Sequence, residues 1–376
     1  MSGIQMVDLR SQYEKIKDEI NFAIQEVLDQ TAFINGPQVG MFAEQLRNYT
    51  GGGFVIPCAN GTDALQIAMM ALDFKQGDEV IVPAFTYVAT VEVISLLGLK
   101  PIFIDVKADT FELDVDQLKE KVTDKTVGIV TVHLYGQCSD METILEFARE
   151  NNLKVIEDTA QAIGSVYTFS DGRKAQAGTM GDIGTTSFFP SKNLGCYGDG
   201  GALFTNDEHL AIKLKMIANH GQKRKYYHDS IGVNSRLDTI QAAILSVKLK
   251  YLDQYSKVRL MVADAYDQGF ASNSMLVTPA RSSKSTHVFH QYTLKLSSSI
   301  NRDDFKVYLE KAGIPSMVYY PLPLHLQKAY LEYGGKEGDF AVSEDLCKRV
   351  ISLPIHTEMN EEMISYIVSV VNSYFK

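Results

Sequence analysis

The chain has 376 residues, of which 45% are hydrophobic, and a formal net charge of −10. This length predicts two to three domains with a sizeable core. The 36 basic residues show only one short cluster, Lys223 to Lys225. The composition therefore argues against nucleic acid as a partner. Residues 1–8 lack the parts of a signal peptide, and no uncharged run is long enough to span a membrane. A cytoplasmic protein without a membrane partner is therefore expected.

The cysteines and histidines do not form a metal-binding pattern. The four cysteines, Cys58, Cys138, Cys196 and Cys347, are far apart in the chain, so neither a disulfide framework nor a metal site is predicted. Seven histidines also lack metal-ligand spacing and are predicted to be structural or exposed: His133, His209, His220, His228, His287, His290 and His356.

The first predicted element is an amphipathic helix. Its apolar residues recur at helical spacing from Ile16 to Val27, and Ser11 with Glu14 predicts a capping box before it. Short apolar runs follow at Val80–Val82, Ile102–Val106, Val127–Leu134, Val155–Ile156, Thr185–Phe189 and Ala202–Thr205. Helix-period stretches lie between several of them, at 63–73, 87–98, 114–122 and 140–151. This alternation predicts an α/β fold with a mostly parallel central sheet flanked by helices.

The pattern changes after Gly232. A long helical stretch is marked by apolar residues from Ile240 to Leu252, and it is expected to link two domains. Beyond it come a strand-like segment at Gln291–Leu296, a helix at Asp303–Ala312 and a final amphipathic helix at Glu358–Tyr374. We therefore predict a large domain over residues 1–250 and a smaller α+β domain over residues 251–376.

Lys192 is the first candidate catalytic residue. It follows Ser187-Phe188-Phe189-Pro190-Ser191 and precedes a glycine-rich segment, so its amine lies among aromatic and small residues. Partial burial lowers the pKa of a lysine, and a neutral amine can attack an aldehyde. Asp158 is the second candidate, because it ends the β-branched run that begins at Val155. A carboxylate at the end of a buried strand can keep a pyridine nitrogen protonated, as pyridoxal phosphate requires.

An anion site is predicted earlier in the chain than these two residues. Gly61 and Thr62 open a helix-period stretch after an apolar run, so they offer free backbone N–H groups, a hydroxyl and the positive end of a helix dipole. Ser187, on the run that precedes Lys192, adds a second hydroxyl. The chain order of phosphate cradle, pyridinium acid and lysine is more specific than any of the three alone.

The sequence at this point resembles the DegT/DnrJ/EryC1 family of pyridoxal-phosphate-dependent nucleotide-sugar aminotransferases, which have fold type I. The segments that carry the resemblance span nearly the whole chain. They include Ala59–Leu65, Pro83–Thr90, Leu134–Gln137, Glu157–Gln161, Ser187–Gly201, Gly232–Asp238 and Tyr320–His325.

The resemblance implies a role for each matching residue. Lys192 would bind the cofactor and move the proton, and Asp158 would face the pyridine nitrogen. Gln161 would touch the ring hydroxyl, and Tyr87 would cover the ring. The phosphate would be held by Gly61, Thr62 and Ser187, together with Asn234 from a neighbouring subunit. The residues expected near the sugar nucleotide are Arg236, Tyr319, Tyr320 and His325.

The resemblance also implies the reaction. An amino acid, expected to be glutamate, would supply the amino group to a keto-sugar nucleotide for surface-polysaccharide synthesis, and the active sites would be shared in a homodimer. The subgroup it resembles acts on UDP-2-acetamido-2-deoxy-3-oxo-glucuronate, although Tyr319 stands where that subgroup has histidine. The Lys223 to Lys225 cluster is either a solvated loop or a diphosphate contact.

Three alternatives stay open from the sequence. The substrate could be a dTDP- or UDP-linked keto-6-deoxyhexose. The chain could be a nicotinamide-dependent dehydratase or epimerase, but the glycine-rich Gly51-Gly52-Gly53 precedes a strand, where a dinucleotide fingerprint would follow one. It could also be a non-catalytic sensor that retains the fold.

Overall fold

The computed structural model describes residues 3–375. The strands, in chain order, are β1 (Phe54–Cys58), β2 (Glu79–Pro83), β3 (Lys100–Ile104), β4 (Thr126–Val132), β5 (Lys154–Asp158), β6 (Val166–Thr168), β7 (Lys174–Gln176), β8 (Ile183–Ser187), β9 (Gly201–Thr205), β10 (Gln222–Arg224), β11 (Tyr227–His228), β12 (Leu276–Val277), β13 (Tyr292–Leu296) and β14 (Val350–Leu353). The helices are α1 (Leu9–Gln30), α2 (Pro37–Thr50), α3 (Gly61–Ala71), α4 (Ala89–Leu96), α5 (Leu118–Lys121), α6 (Met141–Glu150), α7 (Glu208–Ile217), α8 (Thr239–Leu249), α9 (Leu252–Phe270), α10 (Arg302–Lys311), α11 (Ala341–Arg349) and α12 (Glu361–Tyr374). None of these helices combines the length and the apolar character that crossing a membrane requires.

The central sheet has seven strands in the order β1-β9-β8-β5-β4-β2-β3. All neighbouring pairs are parallel except those of β9, which runs antiparallel to both β1 and β8. The carboxyl ends of β1, β2, β5 and β8 therefore meet at one edge of the sheet, where α/β proteins bind ligands. The predicted fold class is confirmed.

Both faces of the sheet are buried. Successive strand residues point to opposite sides, so each strand contributes apolar side chains to both faces. Val130 and Ile156 pack on the face covered by α3, α4 and α7. Their neighbours Ile129 and Val155 pack on the other face, with Met141 and Ile144 of α6. The β-branched runs in the sequence thus correspond to strands enclosed between two helical layers.

The C-terminal part builds its own core around the antiparallel sheet β12-β13-β14. Tyr266 of α9, Tyr292 of β13, Phe305 of α10 and Ile367 of α12 all belong to that core. Residues 250 and 251 separate α8 from α9. The division into domains at residue 250 stays a prediction.

Two local expectations were wrong. Helix α1 begins at Leu9, because the carboxylate of Asp8 accepts the backbone N–H of Ser11 at 2.9 Å and so takes the capping position expected for Ser11. The stretch 114–122 holds only a 3₁₀ turn followed by α5, a single turn of α-helix. Sequence reasoning also missed the hairpins β6-β7 and β10-β11.

Candidate active site

A cavity of about 690 Å³ opens at the carboxyl edge of the central sheet. Nine of the predicted site residues line it: Gly61, Thr62, Tyr87, Asp158, Gln161, Ser187, Lys192, Tyr319 and Tyr320. Each approaches from a strand end or the loop that follows it, except the two tyrosines, which lie on the segment between α10 and α11. The sheet thus gathers groups that are far apart in the chain.

Lys192 lies in a turn that follows β8 and closes on itself. Its backbone N–H donates to Phe189 O at 2.8 Å, and the N–H of Cys196 donates to Phe188 O at 2.8 Å. A Cβ at Gly195 would lie 2.3 Å from Pro190 O, so the turn requires glycine at that position. Burial lowers the pKa of the Lys192 amine to about 8, although Asp158 acts in the opposite direction. This amine can therefore serve as a base or a nucleophile near neutral pH.

Asp158 is fixed at the end of β5. Its Oδ2 accepts the Thr90 hydroxyl at 3.0 Å, and its Oδ1 accepts the backbone N–H of Ala160 at 3.1 Å. The N–H of His133 donates to the carbonyl of Asp158 at 3.0 Å, which ties this residue to the end of β4. The carboxylate is thus held in one orientation at the cavity floor, where it can face a protonated ring nitrogen.

Gln161 joins two walls of the cavity. Its Oε1 accepts the backbone N–H of Tyr135 at 2.8 Å, and its Nε2 donates to the Tyr320 hydroxyl at 3.2 Å. The Tyr135 hydroxyl in turn donates to the carbonyl of Tyr319. The segment that carries Tyr319 and Tyr320 is therefore fixed to the sheet edge by side chains at the start of the loops that follow β4 and β5.

The start of α3 forms the anion-binding end of the cavity. The N-cap residue Asn60 accepts the N–H of Asp63 at 2.7 Å and, through its carbonyl, that of Ala64 at 3.1 Å. The N–H groups of Gly61 and Thr62 precede the first intrahelical hydrogen bond and can bind an anion. A Cβ on Gly61 would lie 2.7 Å from the Cβ of Ser187, so only glycine allows this helix start to approach β8 so closely.

The part of the cavity wall that follows β2 is aromatic and polar. Tyr87 is 54% exposed at the cavity, and its ring centroid lies 6.2 Å from that of Tyr320. Its neighbour Thr86 is buried, yet no described residue hydrogen-bonds to its hydroxyl. A buried hydroxyl without a partner is costly. Because Thr86 lines the cavity, its hydroxyl is available to a bound ligand.

The other three predicted site residues do not line this cavity. Asn234 is exposed and Arg236 is half-buried, both on the segment between β11 and α8. His325 is 0% exposed. Its Nε2 lies 3.1 Å from Glu344 Oε1, and its ring packs against that of Phe340 at a centroid distance of 4.6 Å. Its ring does not line the cavity, so the expected contact of His325 with the substrate stays a prediction.

Comparison with known proteins assigns the family. The sequence profile described as the DegT/DnrJ/EryC1/StrS aminotransferase family matches residues 14–372. The chain belongs to this family. It is 44% identical to a pleiotropic regulatory protein of Geobacillus stearothermophilus, over 100% of this chain and 99% of that protein. It is 41% identical to the UDP-2-acetamido-2-deoxy-3-oxo-D-glucuronate aminotransferase of Pseudomonas aeruginosa, over 98% and 100% of the two chains. The crystal structure of DesV from S. venezuelae with a ketimine intermediate superposes with a TM-score of 0.95 at 33% identity, covering 100% and 99% of the chains.

Membership in the DegT/DnrJ/EryC1/StrS family identifies the chain as a sugar aminotransferase that uses pyridoxal 5′-phosphate. The nicotinamide-dependent and non-catalytic alternatives are therefore set aside. The residues present fit this cofactor, because the cavity combines an anion-binding helix start, a fixed carboxylate, a weakly basic lysine and the unpartnered hydroxyl of Thr86.

Sequence reasoning missed several residues of this site. Thr90 and Tyr135 orient Asp158 and Gln161, although both lay in segments that the family resemblance had marked. His290 and Gln291 line the cavity from the start of the segment that was predicted to be a strand, but neither was expected in the site. His290 was expected to be structural or exposed, because it follows only two apolar residues, Val288 and Phe289, and shows no metal-ligand spacing.

Proposed function

We propose that this aminotransferase moves an amino group from glutamate to the 3-keto carbon of UDP-2-acetamido-2-deoxy-3-oxo-glucuronate. The observation that carries the chemistry is the half-buried Lys192 amine, with a pKa of about 8, in a cavity that also holds Asp158 and an anion-binding helix start. The Pseudomonas relative, 41% identical over its full length, supports the choice of sugar. The sugar aminotransferases among its relatives act on UDP- and dTDP-linked keto sugars, so a keto-6-deoxyhexose nucleotide is the second candidate.

The proposed cofactor contacts follow from the cavity lining. Gly61, Thr62 and Ser187 would hold the phosphate, Asp158 the pyridine nitrogen and Gln161 the ring hydroxyl. Tyr87 would cover the ring. When bound, pyridoxal phosphate supplies an aldehyde that combines with amines and a pyridinium ring that withdraws electrons from an adjacent carbanion. Asp158 is held by Thr90 and Ala160, so its carboxylate can keep that ring protonated without reorienting.

Lys192 performs the proton transfers in this proposal. With a pKa of about 8, roughly a tenth of the amine is neutral near pH 7, whereas an ordinary lysine would be neutral in fewer than about one molecule in a thousand. The neutral Nζ removes the α-proton of the amino-acid donor, and the resulting ammonium returns a proton. Water would replace the donor's C–N bond, so the donor would leave as a keto acid and its nitrogen would stay with the cofactor. In the second half, the same Nζ would move a proton in the opposite sense, and the sugar carbonyl carbon would gain the nitrogen as its oxygen leaves as water.

The substrate would enter past the tyrosine wall. Tyr319 and Tyr320 line the cavity, and their segment is anchored by Gln161 and Tyr135, so they can define the space left for the sugar. Arg236 would supply a positive charge to the nucleotide or the uronate.

We further propose a homodimer with shared active sites. Asn234 and Arg236 lie outside the cavity of their own chain. Strongly exposed apolar residues precede them in the chain, such as Ile231 (86%) and Tyr226 (79%). The same surface continues to Phe33 and Ile34, because Thr239 N donates to Phe33 O at 3.1 Å and Ile34 pairs with Asp238. Exposed apolar area of this kind is typical of a protein interface. The enzyme would act in the cytoplasm, in surface-polysaccharide synthesis.

Two experiments test the chemistry. Borohydride reduction of the cofactor-loaded protein, followed by peptide mapping, should place the cofactor's mass on Lys192, and Lys192→Ala should abolish turnover. Lys154→Ala, which removes a surface lysine paired with Asp182, is the matched control and should keep activity. An unmodified Lys192 peptide would refute the assignment. To identify the sugar, the amino form of the cofactor can be offered a panel of UDP- and dTDP-linked keto sugars, and the one that restores the aldehyde spectrum fastest is the substrate.

Mixing two inactive variants tests the shared site. A heterodimer of Lys192→Ala with Arg236→Ala would contain one intact site if Arg236 serves the partner's cavity, so activity should return on mixing. If Arg236 serves its own cavity, no site is intact and the mixture stays inactive.

A further inference from the structure

His290 is a buried histidine at the rear of the cavity that none of the roles above uses. It lies just before β13, on residues 287–290, which we call the crossing segment because they cross the edge of the central sheet. It lines the cavity together with Lys192. We propose that His290 is a positioning residue, which acts through Asn193 to hold the turn that carries Lys192 against the cavity wall. This inference rests on the proposed function of Lys192 as the cofactor-binding amine.

The contact is made by the side-chain amide that follows Lys192. Asn193 is buried, and its Nδ2 donates to the carbonyl of Val288 at 3.0 Å. Its Oδ1 lies 3.3 Å from His290 Nδ1. The side-chain amide of Asn193 thus contacts two points of the crossing segment. Asn193 directly follows Lys192 in the chain.

These partners determine the tautomer of His290. Because Asn193 Nδ2 is used as a donor to Val288, the Oδ1 that faces the imidazole must accept, so the proton of the ring lies on Nδ1. Gln291 Nε2 lies 3.4 Å from His290 Nε2, which is consistent with a donor facing the unprotonated nitrogen. Burial, together with the charges of Lys192 and Arg259, holds the pKa of His290 well below its usual range. The ring therefore stays neutral, and its hydrogen bond to Asn193 does not change with pH near neutrality.

The crossing segment is itself firmly held. Arg259 of α9 is buried and its Nη1 donates to the carbonyls of Phe289 at 3.1 Å and Ile355 at 2.9 Å. On the other side, Val288 N donates to Gly136 O at 2.8 Å, and a Cβ at Gly136 would lie 2.9 Å from Phe289 N. A segment fixed from both sides can serve as a rigid support for the turn that carries Lys192.

The charged groups around the Lys192 amine show why the position of its turn affects its pKa. The carboxylates that line the cavity are Asp63, Asp158 and Asp199, and Asp158 opposes the effect of burial on Lys192. Burial raises the pKa of Tyr135 and Tyr320, so these hydroxyls stay neutral. Burial is thus the effect that keeps Lys192 weakly basic, and it requires the turn to stay in place.

The test uses the cofactor-free protein and needs no substrate. The rate at which an amine-modifying reagent labels Lys192 is measured against pH by peptide mass mapping. Asn193→Ala leaves the His290 imidazole in place but removes its contact with the Lys192 turn, so Lys192 Nζ can reach water. The pH midpoint for labelling Lys192 should therefore rise by about one unit, which is a roughly tenfold loss of neutral amine near pH 7. His290→Phe, which keeps a ring but loses the hydrogen bond, should show the same rise. The double variant should match the singles, because the two residues act as one unit.

His287→Phe is the matched control. His287 lies on the same segment and stacks on Phe289, but it does not line the cavity, so its replacement should leave the Lys192 midpoint unchanged. Melting temperatures identify variants that do not fold, and Asn193→Ala carries the test alone if His290→Phe is one of them. A wild-type midpoint in folded Asn193→Ala, or additive effects in the double variant, would overturn the proposal. These outcomes are independent of the borohydride experiment, which alone decides whether Lys192 binds the cofactor.

Discussion

The lowered pKa of Lys192 predicts that this residue destabilises the cofactor-free protein below about pH 8. The perturbation is Lys192→Met, which keeps an unbranched side chain and removes the amine. A lysine in an unfolded chain has a pKa of about 10.4, whereas that of Lys192 is about 8 in the folded protein. Between these values the unfolded chain binds more protons than the folded one. The stability of the wild type should therefore rise with pH relative to the variant.

The magnitude follows from the size of the shift. A difference of one in pKa corresponds to about 1.4 kcal/mol, so the difference between about 10.4 and about 8 gives at most about 3.3 kcal/mol. Lys192 is half-buried, and solvent reaching its side chain reduces the expected value to about 2 kcal/mol. Below about pH 8 the amine is charged in both states and the full cost applies. The cost falls as the pH rises from about 8 to about 10.4, and most of it is gone above that value.

The measurement is the free energy of unfolding in urea, for both cofactor-free proteins, at intervals between about pH 7 and pH 10.5. Other groups titrate over this range, but their contributions cancel in the difference between the two proteins. The difference should favour the methionine variant at the low end and decline by about 2 kcal/mol towards the high end. A difference that is constant across the range would mean that the folded structure does not lower the pKa of Lys192, and the assignment of its basicity to burial would be wrong.

Three further predictions concern the residues around the lysine. Asp158→Asn should lower the pH midpoint for labelling Lys192 in the cofactor-free protein, because the carboxylate opposes the effect of burial; an unchanged midpoint would show that the two groups do not interact. Gly61→Ala should weaken cofactor binding by about tenfold in an absorbance titration, since its Cβ would lie 2.7 Å from that of Ser187 and overpacking of this kind costs about 1–3 kcal/mol. Glu157→Gln should reduce the free energy of unfolding by about 3 kcal/mol, because an amide cannot accept all the hydrogen bonds that this buried carboxylate receives. Glu146→Gln, on the exposed surface of α6, is its control.

The sequence predicted the parts of the site that follow from strand ends. Asp158 and Lys192 could be found because each follows a recognisable apolar run, and the sheet brings the ends of those runs together. Thr90 could not be assigned, since its partner Asp158 is 68 residues away and a threonine inside a helix-period stretch has no local signature. His325 is buried beside Glu344 and outside the cavity, because a motif match locates a residue on a segment, whereas its burial depends on how that segment folds. Its contact with the substrate stays a prediction.

The pair Glu157-Asp158 shows why periodicity alone leaves the site incomplete. Successive residues of β5 point to opposite faces, so only one of the two acids can face the cavity. Glu157 points away from it, is 0% exposed, and accepts backbone N–H groups from Gly178 at 2.9 Å and Gly181 at 2.6 Å. It also accepts His133 Nε2 at 2.9 Å, and Ser139 N fixes the other ring nitrogen as an acceptor at 3.2 Å. These bonds connect β5 to the loop that leads into β8, the strand that ends at Ser187 before the Lys192 turn. Glu157 therefore connects the strand that ends at Asp158 to the loop before β8, although it does not line the cavity.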